Sequence, residues 1–165
     1  PLNKEVLIAA GRAALDVLLQ YNVDQQERDY AFLAGLLESG CLTITKNPPN
    51  KGYPDADHTY NPLIAFGSQS EDLATWAQTR FKGTKIKQPP RGVEWRLTGV
   101  LAIDVIRRCQ PYIIGKARHV QLLIDLQNAK NVNTAERGPQ RRIYEEMKAL
   151  NKRAPLQPAA KTKNA

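Results

Sequence analysis

The apolar positions fall first at helical spacing. Between Asn3 and Gln20, Val6, Leu7, Ala10, Ala13, Ala14, Val17 and Leu18 share one side of a 3.6-residue period, opposite Lys4, Arg12, Asp16 and Gln20. Asn22 and Asp24 predict a loop, and a second helix follows from Gln26 to Ser39. Within it Ala31, Gly35 and Ser39 recur every four residues, a stripe of small side chains along which another helix could pack closely. Gly35 in a helix interior costs roughly 1 kcal/mol against alanine, so close packing is a natural compensation. Gly40 ends the helix as a C′ residue.

After Gly40 the period changes to two. Cys41 to Lys46 and Thr59 to Phe66 read as strands, with Pro62 marking an edge or an irregularity, and Asn47 to His58 reads as a loop. Ser70 is placed to cap a helix over Glu71–Phe81 that turns Leu73, Ala74, Trp76 and Ala77 to the core; Gly83 stops it. Thr84–Lys87 and Val93–Thr98 are two further strands, the second with Val93, Trp95 and Leu97 inward and Glu94, Arg96 and Thr98 outward. Helices over Val100–Arg108, Lys116–Lys130 and Pro139–Lys152 complete the pattern. The order is a helix, then αββαββα, then further helices: an α+β class with strands paired as hairpins, helices on one face and no internal repeat.

Composition adds one fact of weight. The 165 residues carry 24 Lys and Arg against 16 Asp and Glu, a net charge of +8. An excess of that size favours a polyanion, because each phosphate neutralised releases counterions. Part of the excess lies in a Pro-, Ala- and Asn-rich carboxy-terminal stretch with Lys152, Arg153, Lys161 and Lys163, expected to be disordered until it meets a partner. No stretch approaches the roughly 18–20 apolar residues of a membrane span, so no membrane partner is expected. Cys41 and Cys109 have no metal-type spacing to His58 or His119 and read as buried thiols in a reducing compartment. The first residue, Pro1, suggests a fragment or a processed chain, and an organelle (mitochondrion or chloroplast) is the expected location.

Among patterns that carry chemistry there is no serine–histidine–acid arrangement and no phosphate-cradling glycine loop. Asp55 and Asp57 read as turn residues. The residues from Phe32 to Ile44, Phe-Leu-Ala-Gly-Leu-Leu-Glu-Ser-Gly-Cys-Leu-Thr-Ile, resemble the signature helix and first strand of the LAGLIDADG homing endonucleases. Gly92–Gly99 resembles that family's fourth strand, Gln110–Leu123 the segment closing its active site, and Ile143–Arg153 its carboxy-terminal helix. The resemblance spans about Arg28 to Arg153. It implies a four-stranded antiparallel saddle sheet lying along nucleic acid, an amino-terminal helical extension (1–25), the LAGLIDADG-like domain (26–153) and a basic tail (154–165).

The same resemblance implies site residues. Family members of single-motif type pair as homodimers through the signature helix, a role for Ala31, Gly35 and Ser39. An acid at the end of that helix binds a divalent metal. Here Glu38-Ser39-Gly40 is one residue shorter than the usual acidic pair, and one helical position is a rotation of about 100°. Glu38 is then the structural acid of the pair with the metal-binding one lost, or the metal ligand if the helix end is rewound. Gln69 fits the water-positioning polar residue and Lys116 the active-site lysine, which makes Glu38, Gln69 and Lys116 vestigial catalytic candidates. The expected nucleic-acid surface is the outward face of the strands and adjoining loops: Thr43, Thr45, Lys46, Lys51, Lys85, Lys87, Arg91 and Arg96. Lys116, Arg118, Arg141, Arg142, Lys152 and Arg153 extend it.

The leading expectation is a nucleic-acid-binding protein derived from this family, without cleavage and without a cofactor, with RNA (organellar ribosomal RNA or a group I intron) favoured over DNA. The alternative is an active homodimeric, Mg-dependent, site-specific DNA endonuclease. A third reading is a protein-binding scaffold that uses the amino-terminal helix.

Overall fold

The computed structural model describes residues 4–49, 58–90, 92–132 and 137–152. The expected tail, Lys51, Asp55, Asp57, Arg91 and Arg153 lie outside them. Helix α1 runs unbroken over Lys4–Ser39, so the loop expected at Asn22 and Asp24 is not formed. The physical reason is local: no Pro or Gly falls between Gly11 and Gly35, and side-chain bonds one turn apart, Gln20 to Asp24 at 3.0 Å and Gln25 to Asp29 at 3.2 Å, brace the helix across the junction.

Strands β1 (Cys41–Asn47) and β2 (Thr59–Ser68) follow, then α2 (Glu71–Phe81), β3 (Thr84–Lys87), β4 (Val93–Thr98), α3 (Gly99–Cys109), a short 3₁₀ turn (Gln110–Tyr112), α4 (Ala117–Val132) and α5 (Arg137–Asn151). The sheet is antiparallel with order β1-β2-β4-β3. Pro62 sits in the central strand β2, in the stretch that pairs with β1 alone; pairing with β4 begins at Leu63. Its missing N–H is thus tolerated at a local edge. Ser70 stands at the N-cap of α2 without a side-chain cap bond; Ser68 Oγ accepts the Ser70 amide instead, at 2.9 Å.

The five α-helices of the described residues pack toward one sheet face. Leu42, Ile44, Tyr60, Ile64, Phe66, Val93, Trp95 and Leu97 point into them and join Leu33, Leu37, Ala74, Ala77, Ile103, Ile106, Val120, Leu123 and Met147 in one core. Trp95 anchors it: fully buried, tilted against Phe66, with its indole N–H donating to Lys82 O at 2.7 Å. That bond holds Lys82 at a φ of 65°, which a non-glycine residue rarely adopts. Of the two thiols expected in the core, Cys109 is buried and Cys41 is exposed. Cys41 begins β1 on the parity of the open face, opposite Ala65.

Candidate nucleic-acid interface

The end of α1 meets the start of α4 through a reciprocal set of bonds. Glu38 Oε1 accepts the amides of Ile114 at 2.5 Å and Gly115 at 2.9 Å. Lys116 Nζ donates to Gly40 O at 2.5 Å and to Leu37 O at 3.1 Å, two carbonyls at the helix terminus where cations are favoured. A Cβ on Gly115 would lie 3.0 Å from Glu38 Oε2, so glycine there lets the loop close on the carboxylate. Ser39 Oγ is turned back to Leu36 O at 3.1 Å. In the first turn of α4, His119 is held below the ordinary value of 6.5 by burial and by the neighbouring Lys116 charge, and its Nδ1 is buried with no hydrogen-bond partner. Gln69, exposed between β2 and α2, packs its backbone against Gly92, where a Cβ would lie 3.0 Å from Gln69 Cα. Glu38 and Lys116 therefore share one locus with Gly40.

The open sheet face carries Cys41, Thr43 and Thr45 from β1, Asn61, Leu63, Ala65 and Gly67 from β2, Glu94, Arg96 and Thr98 from β4, and Thr84 and Ile86 from β3. Most of these, with Ser39 and Gly40 at the end of α1, line a concavity of about 550 Å³. Thr43 and Thr45 stand on this face as expected, though Thr45 Oγ1 donates to Asn61 O at 3.2 Å. Arg96 stands there too, but its guanidinium is bound to Glu94, which also accepts from Gln88 at 2.6 Å.

Lys85 and Lys87 are on the other side of the sheet. They stand opposite Trp95 and Val93, both inward residues, and opposite residues of an antiparallel pair share a face. Lys85 Nζ reaches Thr75 Oγ1 at 2.9 Å and Glu71 at 3.8 Å; Lys87 reaches Glu71 at 3.6 Å. The expectation that they face outward is corrected: the period-two pattern put them on one face, and β3 pairing puts that face toward α2. Lys46, opposite Tyr60, has the inward parity but is exposed at the end of β1. Arg96 is thus the one cation on the open face among the described residues, and it is neutralised.

The remaining cations of the described residues sit on helices or beside their ends. Arg118 pairs with Glu146 at 2.5 Å; Arg141, Arg142 and Lys152 are exposed on or just past α5. Sequence reasoning missed Arg80, Lys82, Arg107 and Arg108, which line one groove, and Lys130, whose ammonium donates to Tyr60 O at 3.2 Å and Asn61 Oδ1 at 3.1 Å. Burial and the nearby Arg137 charge hold Lys130 below its usual range. Arg107-Arg108 was a visible doublet, but nothing in the sequence tells that Arg80 and Lys82 come beside it. Along the exposed side of α1, Gly35 has no atom within 4 Å of a built Cβ; Ala31 is half-buried and Ser39 exposed. Phe32 on the same helix is 52% exposed, edge-on to Trp76 at 5.0 Å.

No protein-family model and no curated relative matches the chain. Solved structures do. The homing endonuclease I-CvuI, bound to DNA with magnesium present and the DNA not cleaved, aligns with a TM-score of 0.67 at 15% identity, over 81% of this chain and 88% of that one. The same enzyme with its own target and calcium gives equal values, 0.67 and 15%. The archaeal intron-encoded I-Vdi141I in complex with DNA aligns at 0.59 and 10% identity, over 76% and 86% of the two chains. Identities this low carry architecture alone, and on that ground the chain has the α+β fold of the homing endonucleases that its Phe32–Ile44 segment resembles.

Proposed function

We propose that this chain is a nucleic-acid-binding protein that keeps the homing-endonuclease fold without its cleavage centre, with RNA favoured as the partner. The observation that carries this reading is the engagement of Glu38 by the Ile114 and Gly115 amides. Magnesium takes hard oxygen ligands in near-octahedral geometry, with carboxylates as its protein anchors. The residues at this locus do not fit it. Glu38 supplies the carboxylate and spends Oε1 on two amides, the Ser39 hydroxyl is turned to Leu36, and the Lys116 ammonium occupies the carbonyls of Leu37 and Gly40. Among the described residues no group of three His, Cys, Asp or Glu side chains is placed to hold a metal. The arrangement suits a clamp between α1 and α4.

The near-neutral open face argues against a long duplex laid along the sheet. A long duplex laid on a sheet needs cations there to replace its counterions, and the described residues supply only the Arg96–Glu94 pair. The net charge of +8 remains to be used elsewhere. The test is crosslinking in the native extract followed by sequencing of the bound nucleic acid, with a magnesium cleavage assay on the purified chain. Recovery of a defined RNA and no cleavage is expected. Cutting of DNA at a defined site would overturn the reading.

One observation favours the second reading, an active homodimeric Mg-dependent DNA endonuclease. The open space over Gly35 and the exposed Phe32 leave the signature helix with room for a second copy. Pairing there suits a binder as well as a nuclease, so sedimentation together with the cleavage assay separates the two.

A further inference from the structure

Away from the open sheet face, four cations gather in a groove of about 520 Å³ between α1, the end of α2 and α3, inside the roughly 300–1,000 Å³ range of ligand-sized sites. Four cations line it: Arg80, Lys82, Arg107 and Arg108. Arg80 is offset by Asp29 at 3.3 Å, and Asp104 is the acid on the groove wall. Lys82, Arg107 and Arg108 form no ion pair among the described residues.

Two of these cations have local anchors, Lys82 through its backbone alone and Arg108 through its guanidinium. Lys82 stands where the chain leaves α2 at a φ of 65°, with its carbonyl fixed by the Trp95 indole. Arg108 lies over the Tyr30 ring at 5.4 Å and donates to Gln26 Oε1 at 3.4 Å. Tyr30 and Arg108 also line an adjoining cavity of about 310 Å³ that reaches Tyr112. The two hollows share Gln26, Tyr30 and Arg108 in their walls, and Glu27 adds a carboxylate to the second. A groove between helices suits one sugar–phosphate strand better than a duplex, and a guanidinium held over an aromatic ring has its fork available to phosphate oxygens.

We propose that this helical groove, on the side of the molecule away from the open sheet face, receives the phosphodiester backbone of a single nucleic-acid strand through Lys82, Arg107 and Arg108. The inference rests on the nucleic-acid-binding reading above and names the surface that performs it.

The experiment measures binding of the full chain to fluorescein-labelled oligouridine and, in a parallel arm, to labelled single-stranded and duplex DNA, by anisotropy over a salt series. Removing two phosphate contacts with Lys82→Gln and Arg107→Gln lowers the single-strand salt slope by about 1.4, at about 0.7 per phosphate, and so weakens binding roughly twenty-fold at 0.1 M salt. Arg107→Glu weakens it further, and thermal unfolding verifies that each variant is folded. Arg141→Gln with Arg142→Gln removes the same charge from α5. If that pair, or Arg96→Gln on the sheet, abolishes binding while the groove pair leaves affinity and slope at wild-type values, the inference is overturned and the nucleic-acid reading stands. If the unaltered chain binds none of the probes, the nucleic-acid reading itself fails. Groove-dependent binding of single strands, with duplex DNA bound weakly, supports the proposal; comparison of the RNA and DNA strands identifies the source of the backbone.

Discussion

Replacing Glu38 by alanine separates a structural acid from a metal ligand. In the folded chain its carboxylate accepts two amides, from Ile114 and Gly115. A hydrogen bond to a charged partner contributes about 1.5–3 kcal/mol, and truncation leaves the amides short of an acceptor. Glu38 is only partly buried, so water recovers some of the loss, and the low end of the range applies to each bond. The expected destabilisation is about 2–3 kcal/mol for Glu38→Ala. In a chain of this size that is a fall of roughly 5–10 °C in the unfolding midpoint. Glu38→Gln keeps an acceptor oxygen on the same stem and is expected to cost about 1 kcal/mol. Calorimetry measures the midpoints, and amide exchange reads the site: Ile114 and Gly115 should lose protection before the strands do. A metal ligand awaiting its ion behaves oppositely, since removing an uncompensated carboxylate leaves stability unchanged or raises it. An unchanged midpoint with unchanged exchange at Ile114 and Gly115 would refute the clamp.

Three further outcomes follow from the same geometry. Gly35→Ala should raise the unfolding midpoint of the dilute, monomeric chain by roughly 2–4 °C, because the new methyl meets nothing within 4 Å and glycine costs a helix about 1 kcal/mol; a fall would show the space already filled. His119 titrates below its ordinary 6.5 in the folded chain, so the unfolded chain takes up the proton first: stability is fully present above pH 6.5 and is lost as pH falls from there toward the folded value. His119→Gln should flatten that limb of a stability–pH curve, and an unaltered limb would exonerate His119. In thiol titration with a disulfide reagent, native protein should release one equivalent, slowly, from Cys41, whose thiol is raised by partial burial; Cys109, pushed up to about 12 by burial, should react only after unfolding, and two native equivalents would contradict the core described above.

The element order could be read directly because strong local signals coincide with it. Gly40, Gly83 and the switch from period 3.6 to period two bracket the strands, and Glu71–Phe81, Thr84–Lys87 and Val93–Thr98 fall where the pattern puts them. The failures are of two kinds. Asn22 and Asp24 are weak breakers, and a helix braced by Gln20 and Gln25 runs through them. The second kind concerns faces and distance. Alternation assigns Lys85 and Lys87 to the same side, but only the pairing of β3 with β4 says which side. Likewise, Glu38 and the loop at Ile114 to Lys116 are far apart in the chain. The sequence offered a resemblance for each and no sign that the carboxylate would bind the amides. The groove of Arg80, Lys82, Arg107 and Arg108 is joined from the ends of two helices and Lys82 just beyond the first, and neither periodicity nor composition brings it together.

The two margins of the sheet are guarded by different means. β1 and β3 are its outer strands, and an outer strand invites pairing with another chain and aggregation. Beside β1 lies α5, whose Asn151 donates to Leu42 O at 3.2 Å and to Thr43 Oγ1 at 3.3 Å. Among the described residues no helix is bonded along β3 in this way; it is four residues long and carries Lys85 and Lys87, and short, lysine-bearing edges resist strand addition. The carboxy-terminal helix is therefore a sheath for β1. A chain shortened before Arg137 would expose Leu42 and its neighbours to intermolecular pairing, and it would be lost from solution for that reason even where its core still formed.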